Sequence, residues 1–362
     1  MNFRNKLVMI LLAPLALSAG CAHLAKKESA GIERQSYTIR FTGYETTVEI
    51  KGTPEAVGKY LLQPKNFLNY KTNRIKFELS SPKMLEQEGD TVGYAITFAG
   101  VKMPMLAILV NHKPGREIWY FFTGENGVLA DLKLYLEPFQ GGTKVHLKYE
   151  NEDLSPGLQE IQETLNMKEM MATAMEWAIA KGQQNFDPAL KPEELLKEGI
   201  RGEFVDPIYD AYKASIWINA PPKKVYEYIN GPGVKKYDAE YGSWMGKLFF
   251  RDDKGPFPAK INTDDIDLDL IGFPALSTYG RGKRGYHSTG YLMPASHSFI
   301  TKNQITVKGS GGGTELSINY LISSSRVVST ELYDLAIMET KLPEPVDRFL
   351  QNIKQDMEGG QK

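Results

Sequence analysis

Cysteine is almost missing from this chain: its 362 residues hold one, Cys21. An intrachain disulfide is therefore impossible, and a thiolate metal cage is excluded. Histidine is scarce too, with five residues (His23, His112, His146, His287 and His297), none at a paired metal-ligand spacing. Excess charge is lacking, since 43 Lys and Arg stand against 44 Asp and Glu. No bulk field draws the chain onto nucleic acid. Beyond residue 20 no apolar run approaches the roughly eighteen residues that a membrane-crossing helix needs. What remains is ordinary globular composition, 42% hydrophobic and 24% charged, in a length that suggests two domains.

The first segment reads as an address. Arg4 and Lys6 precede an apolar run from Leu7 to Leu17, and the small residues Ser18, Ala19 and Gly20 lead into Cys21. A basic start, a short apolar stretch and a small-residue cleavage site make a secretory signal. The segment from Leu17 to Cys21 resembles the bacterial lipobox, with Ser18 where that pattern prefers Leu. This resemblance implies lipidation of Cys21 and a chain tethered in the bacterial cell envelope. Ala22 follows the cysteine where Asp could stand, and resemblance to enterobacterial lipoproteins then implies the outer membrane, facing the periplasm.

The body is one unit written twice. Pro54, Val57, Tyr60 and Pro64 return as Pro222, Val225, Tyr228 and Pro232, each 168 residues on. Gly141-Gly142-Thr143 with Tyr149 returns as Gly312-Gly313-Thr314 with Tyr320, 171 residues on. Each unit opens on an alternating strand (Thr47–Lys51, Ser215–Asn219), followed by a short amphipathic helix with Pro at its start. In the first unit strands are expected over 74–79, 91–98, 103–112, 117–123, 130–137 and 143–150, with turn chemistry between them. A long helix is expected from about Leu158 to Gln184, and a final amphipathic helix carries Val346, Phe349, Leu350, Ile353 and Met357. The resulting division is 1–20 signal, 21–35 tether, 36–186 first domain, 187–204 linker with a short helix, 205–358 second domain and 359–362 tail.

This order resembles the helix-grip fold of the START, polyketide-cyclase and Bet v 1-like (SRPBCC) superfamily. The entry motif and the Gly-Gly-Thr hairpin carry the resemblance, over about 40–185 and 205–358. It implies an α+β chain of two tandem helix-grip units, each a curved antiparallel sheet wrapped around a long C-terminal helix. A sheet of that kind encloses an apolar cavity. Strand alternation then assigns Leu134, Leu147, Leu316, Ile318 and the repeated Tyr149 and Tyr320 to the inner faces. Tyr94, Phe98, Trp119 and Phe121 are further candidates for the wall, as are Met167, Met171, Ala174 and Met175 on the long helix. The Met-rich helix reads equally as a compliant wall or as core. Strand 103–110 is apolar on both faces, so its outer face either packs on the second unit or linker, or is a patch for a partner or lipid.

Other chemistry is thin. Gly280-Arg-Gly-Lys-Arg-Gly285 lacks the strand and helix that a dinucleotide loop needs, leaving a basic turn with Arg281, Lys283 and Arg284. Asp265, Asp267 and Asp269 alternate with Ile266, Leu268 and Leu270, which reads as an amphipathic strand rather than a calcium loop. No cofactor, metal or catalytic residue is assigned. The expected activity is binding of a hydrophobic small molecule or lipid, as carrier or sequestering protein, with the membrane as partner through its anchor. Two alternatives stand: a cyclase- or aromatase-like enzyme using Tyr149 or Tyr320 in the same cavity, and a structural lipoprotein binding an envelope protein.

Overall fold

The computed structural model describes residues 31–68, 70–71, 75–80, 85–98, 100–124, 129–152, 166–197, 199, 201–231, 257–262, 267–274, 286–294, 299–324 and 343–359. The leader and Cys21, the basic turn at 280–285, Asp265, His297 and the start of the long helix before residue 166 lie outside them. Phe98, Met167, Asp267, Asp269 and His287 are placed in their elements by backbone alone.

The strands in the first half are β1 (Glu33–Lys51), β2 (Ile75–Leu79), β3 (Thr91–Phe98), β4 (Val101–Lys113), β5 (Glu117–Gly124), β6 (Leu129–Phe139) and β7 (Gly142–Glu152). Helices α1 (Pro54–Leu61) and α2 (Pro64–Phe67) follow β1, and α3 (Met167–Phe186) follows β7. The segment read as linker holds α4 (Pro192–Leu195) and β8 (Glu203–Val205). The second half contains β9 (Ile208–Ile218), α5 (Pro222–Asn230), β10 (Phe257–Asn262), β11 (Asp267–Pro274), β12 (Tyr286–Pro294), β13 (Phe299–Ser310), β14 (Gly313–Ser324) and α6 (Pro343–Gly359). Among the described residues no helix is long and apolar enough to cross a membrane.

Local chemistry explains the elements. Thr53 caps α1 by accepting from the Ala56 N–H at 3.3 Å, and Pro54 occupies the first turn, where a missing N–H costs nothing. Val57 and Leu61 turn inward from α1, as Val225 and Ile229 do from α5. Pro64 ends α1 and also starts the single turn of α2.

The repeated Gly-Gly-Thr motif is explained atom by atom. Gln140 and Gly141 have φ of 43° and 82°, and Gly311 and Gly312 have 56° and 86°, the left-handed pair that a two-residue hairpin requires. The next glycine leaves no room for a side chain. A Cβ on Gly142 would lie 2.7 Å from the Ile50 carbonyl oxygen, and one on Gly313 2.5 Å from that of Ile218. Thr143 Oγ1 donates to the Gly52 carbonyl at 2.7 Å, and Thr314 Oγ1 to that of Ala220 at 2.5 Å. The motif closes the last hairpin onto the first strand of its half.

All described strands join one antiparallel sheet in the order β10-β11-β12-β13-β14-β9-β1-β7-β6-β5-β4-β3-β2, with β8 also paired to β1. In each half the first strand pairs with the last and the meander runs outward from there. The register repeats as well: Ile50 faces Thr143, and Ile218 faces Thr314.

β1 is far longer than the five residues expected because it serves both halves. Residues 41–51 pair with β7, whereas residues 33–40 pair with β9. Arg40 faces Ile208, its own counterpart in the repeat, so a local two-fold axis passes between them. β8 keeps the β9 register on β1 (Gly43 faces Val205), and the break between them falls at Asp206-Pro207, where proline has no N–H to give. The Phe41 N–H still bonds the Pro207 carbonyl at 2.8 Å. Each half thus lays an arm along the first strand of the other.

Candidate functional site

Among the described residues the largest core lies between α3 and one face of the first-half sheet. Strand alternation puts Leu132, Leu134 and Leu136 of β6 and Val145, Leu147 and Tyr149 of β7 on this face, with Ala172, Ala174, Met175, Ala178 and Ile179 packed on them from α3. Tyr94 joins them from β3, and Phe77, Tyr94, Phe122, Tyr120 and Phe67 form a chain of rings with centroids 5.0–6.4 Å apart. Met171 packs against the same core and is only partly buried.

Trp119 and Phe121 do not belong to this face. They are buried on the opposite side of β5, with Phe41, Ile108, Val110, Tyr209 and Ala211. Ile118, Tyr120 and Phe122 face α3 instead. The strand reads as nearly continuous apolar sequence, so its parity is set by pairing: Tyr120 faces Leu132 on β6 and Leu109 on β4, ahead of a register shift between Leu109 and Asn111. The outer face of strand 103–110 is covered by Tyr209 and Ala211 of the second half, together with Phe41.

Charge is buried on that outer face too. Trp119 Nε1 donates to Asp131 at 3.0 Å, Tyr209 donates to Glu150 at 2.7 Å, and Lys148 pairs with Glu150 at 2.7 Å. The Lys133 ammonium lies 4.4 Å from the Trp119 ring centre, and burial holds its pKa below the usual lysine value despite Asp131 and Glu150 nearby. An open groove of about 720 Å³ adjoins this face, lined by both signs of charge, including Glu45, Glu137, Lys148 and Glu203. His146 is in that groove, 2.9 Å from Thr47 Oγ1, which makes it a surface residue. Burial lowers the pKa of His112, at the end of β4, and Glu88 partly offsets this.

The buried tyrosines of the inner face divide into two classes. The Tyr44 hydroxyl donates to Glu176 and accepts from the Gly202 N–H at 2.9 Å; the Tyr120 hydroxyl donates to the Leu61 carbonyl at 2.9 Å. Tyr94 and Tyr149, 4% and 6% exposed, have no hydrogen-bond partner among the described residues. Burial raises the pKa of both well above the ordinary phenol value, so both stay protonated.

In the second half Leu316, Ile318 and Tyr320 face α6 through Val346, Phe349, Leu350 and Ile353. Tyr320 stacks on Tyr212 at 5.3 Å, and burial together with that neighbour pushes its pKa up to about 12. The two helices can be matched by what they do. Gln183 donates to the Glu49 carbonyl at 2.9 Å, and Lys354 to that of Trp217 at 2.9 Å. Lys51 pairs with Asp187, and the Asn219 N–H bonds Glu358. On this match Ala178 corresponds to Phe349 and Gly182 to Ile353. At these two positions the first half carries a small residue where the second carries a large one.

No protein-family description matches the chain, and no curated protein matches it. Among solved structures it is similar to the di-domain ARO/CYC StfQ from the steffimycin biosynthetic pathway (8% identity, 88% of this chain and 99% of that one, TM-score 0.30). It is also similar to DynU16 from the dynemicin biosynthetic locus (9% identity, 87% and 98%, TM-score 0.27). Over 41% of its length it is similar to protein CV1439 from Chromobacterium violaceum (12% identity, 99% of that chain, TM-score 0.30).

Proposed function

We propose that the first half binds an apolar small molecule or lipid between α3 and the sheet, in the manner of a helix-grip carrier, and that a lipid on Cys21 tethers the chain in a bacterial envelope. One observation carries the binding reading. Leu79, Ile96, Met103 and Met105 from β2–β4, with Met170 and Met171 from α3, face the core and are still only partly buried. A cluster of flexible, polarizable side chains left half open suits an apolar ligand of irregular shape. Covering such surface gains about 25 cal/mol for each Å² removed from water. The small residues Ala174 and Ala178 on α3 support placing the ligand in the first half, while Phe349 and Ile353 fit a supporting role for the second.

Purification of the full chain under native conditions, followed by organic extraction and mass spectrometry, tests the reading. A stoichiometric apolar passenger is expected. A chain that carries none, and that leaves an added fluorescent fatty probe unquenched and unshifted, would overturn it. For the tether, Cys21→Ser should move the chain from the membrane to the soluble fraction and abolish incorporation of labelled fatty acid.

A further inference from the structure

Resting on that reading, we infer that the ligand is an uncharged amphiphile whose carbonyl, ester or hydroxyl oxygen accepts hydrogen bonds from Tyr94 and Tyr149. Both side chains belong to the core between α3 and the sheet, and the two hydroxyls are near enough to influence one another electrostatically. Their companions show how this interior treats a phenol when it needs no ligand: Tyr44 and Tyr120 are each bonded within the fold. Tyr94 and Tyr149 have no such partner among the described residues, and neither hydroxyl is among the sealed polar atoms that lack one, so each donor still borders space that a ligand oxygen can enter. An oxygen on the ligand gives both donors an acceptor there.

The charge of the ligand follows from what surrounds it. The buried cation described in the first half, Lys133, lies beside Trp119 on the opposite face of the sheet. Arg201 is committed to Glu176, which is itself fully buried. Nothing described on the inner face compensates a carboxylate, and two neutral phenols do not offset its loss of hydration. A cationic head meets the same lack, because Glu176, the buried carboxylate described on the inner face, already has its partners. A neutral oxygen asks only for the donors that are present.

The test uses the full chain and a matched set of long-chain probes: an alkane, a ketone, a carboxylate and a trimethylammonium. Titration calorimetry should rank the ketone first, tighter than the alkane by about fivefold or more, as for one net hydrogen bond or better. Tyr94→Phe and Tyr149→Phe should each shrink that preference. Tyr120→Phe, whose hydroxyl serves Leu61, should leave the preference intact. Independently of any variant, the carbonyl stretch of the bound ketone should fall below its value in hydrocarbon. Equal binding of alkane and ketone, tightest binding of the carboxylate, or an unshifted stretch overturns this inference and spares the apolar site. Failure of every probe to bind overturns the site itself.

Discussion

Arg201 closes on Glu176 from the segment that leads into the second half. Its Nε and Nη2 lie 2.8 and 2.6 Å from Oε2, and its backbone N–H reaches Oε1 at 3.2 Å. The relationship has a mirror. Arg34, in the arm that precedes the first half, pairs with Asp347 on α6, and Asp347 is the counterpart of Glu176 on α3. Each arm therefore pins the helix of the other half, across the two-fold axis between Arg40 and Ile208.

Removing one side of this interlock should be expensive. Arg201→Met leaves Glu176, at 0% exposure, short of its cation, with Tyr44 and one backbone N–H as remaining donors. The expected loss is roughly 2–4 kcal/mol, moderated because Arg201 is partly exposed. Urea unfolding measures it. The double variant Arg201→Met with Glu176→Leu should recover most of the loss, and a double variant no better than the single would refute the pairing as its cause.

The Gly-Gly-Thr motif should matter to stability equally in both halves. Thr143→Val and Thr314→Val each leave a backbone carbonyl without its donor, at a cost of about 1–2 kcal/mol. Gly142→Ala forces a Cβ into the Ile50 carbonyl and should cost more than either. Thermal unfolding of the three variants orders them.

Lys133 supplies a pH dependence with a definite sign. Burial depresses its folded pKa below the usual lysine value of 10.5, so between the two values the unfolded chain holds more protons than the native one. Stability contributed by this residue therefore rises with pH through that window and levels off above 10.5. Lys133→Met should remove that rise. Unfolding free energies of wild type and variant, compared across alkaline pH, should diverge in favour of wild type; parallel curves would contradict the sign. The comparison is between chains because the raised tyrosine pKa values, Tyr94 and Tyr149 among them, act oppositely at higher pH.

The two helices should respond differently to volume. Phe349→Ala opens a cavity beside Ile353 and Leu350 and should cost about 3–5 kcal/mol. Ala178→Phe, which copies the second half into the first, should cost about 1–3 kcal/mol by overpacking and abolish binding of apolar probes. Retained binding at full stoichiometry would show that the ligand does not approach α3 at Ala178.

Much of the architecture was legible in the chain because it rests on local chemistry. Alternation in β6 and β7 reports the inner face directly, since each residue there is plainly apolar or polar. β5 gave no such signal. Its run from Ile118 to Phe122 is apolar throughout, because one face meets α3 and the other meets β9, so no alternation separates Trp119 and Phe121 from the residues that face α3. The arm at 33–40 was equally silent: mostly polar and exposed, it is a strand only because β9 lies beside it.

The order of residues by itself determined the repeat, the turns and the inner faces of β6 and β7, since glycine conformations, proline ends and side-chain alternation act within a few positions. The tertiary structure decided what joins the halves: the arms exchanged around Arg40 and Ile208, the arginines crossing to the opposite helices, and the burial of both faces of β5. The physical reason is distance along the chain. Arg34 and Asp347 are 313 residues apart, and only folding brings such groups within reach of one another.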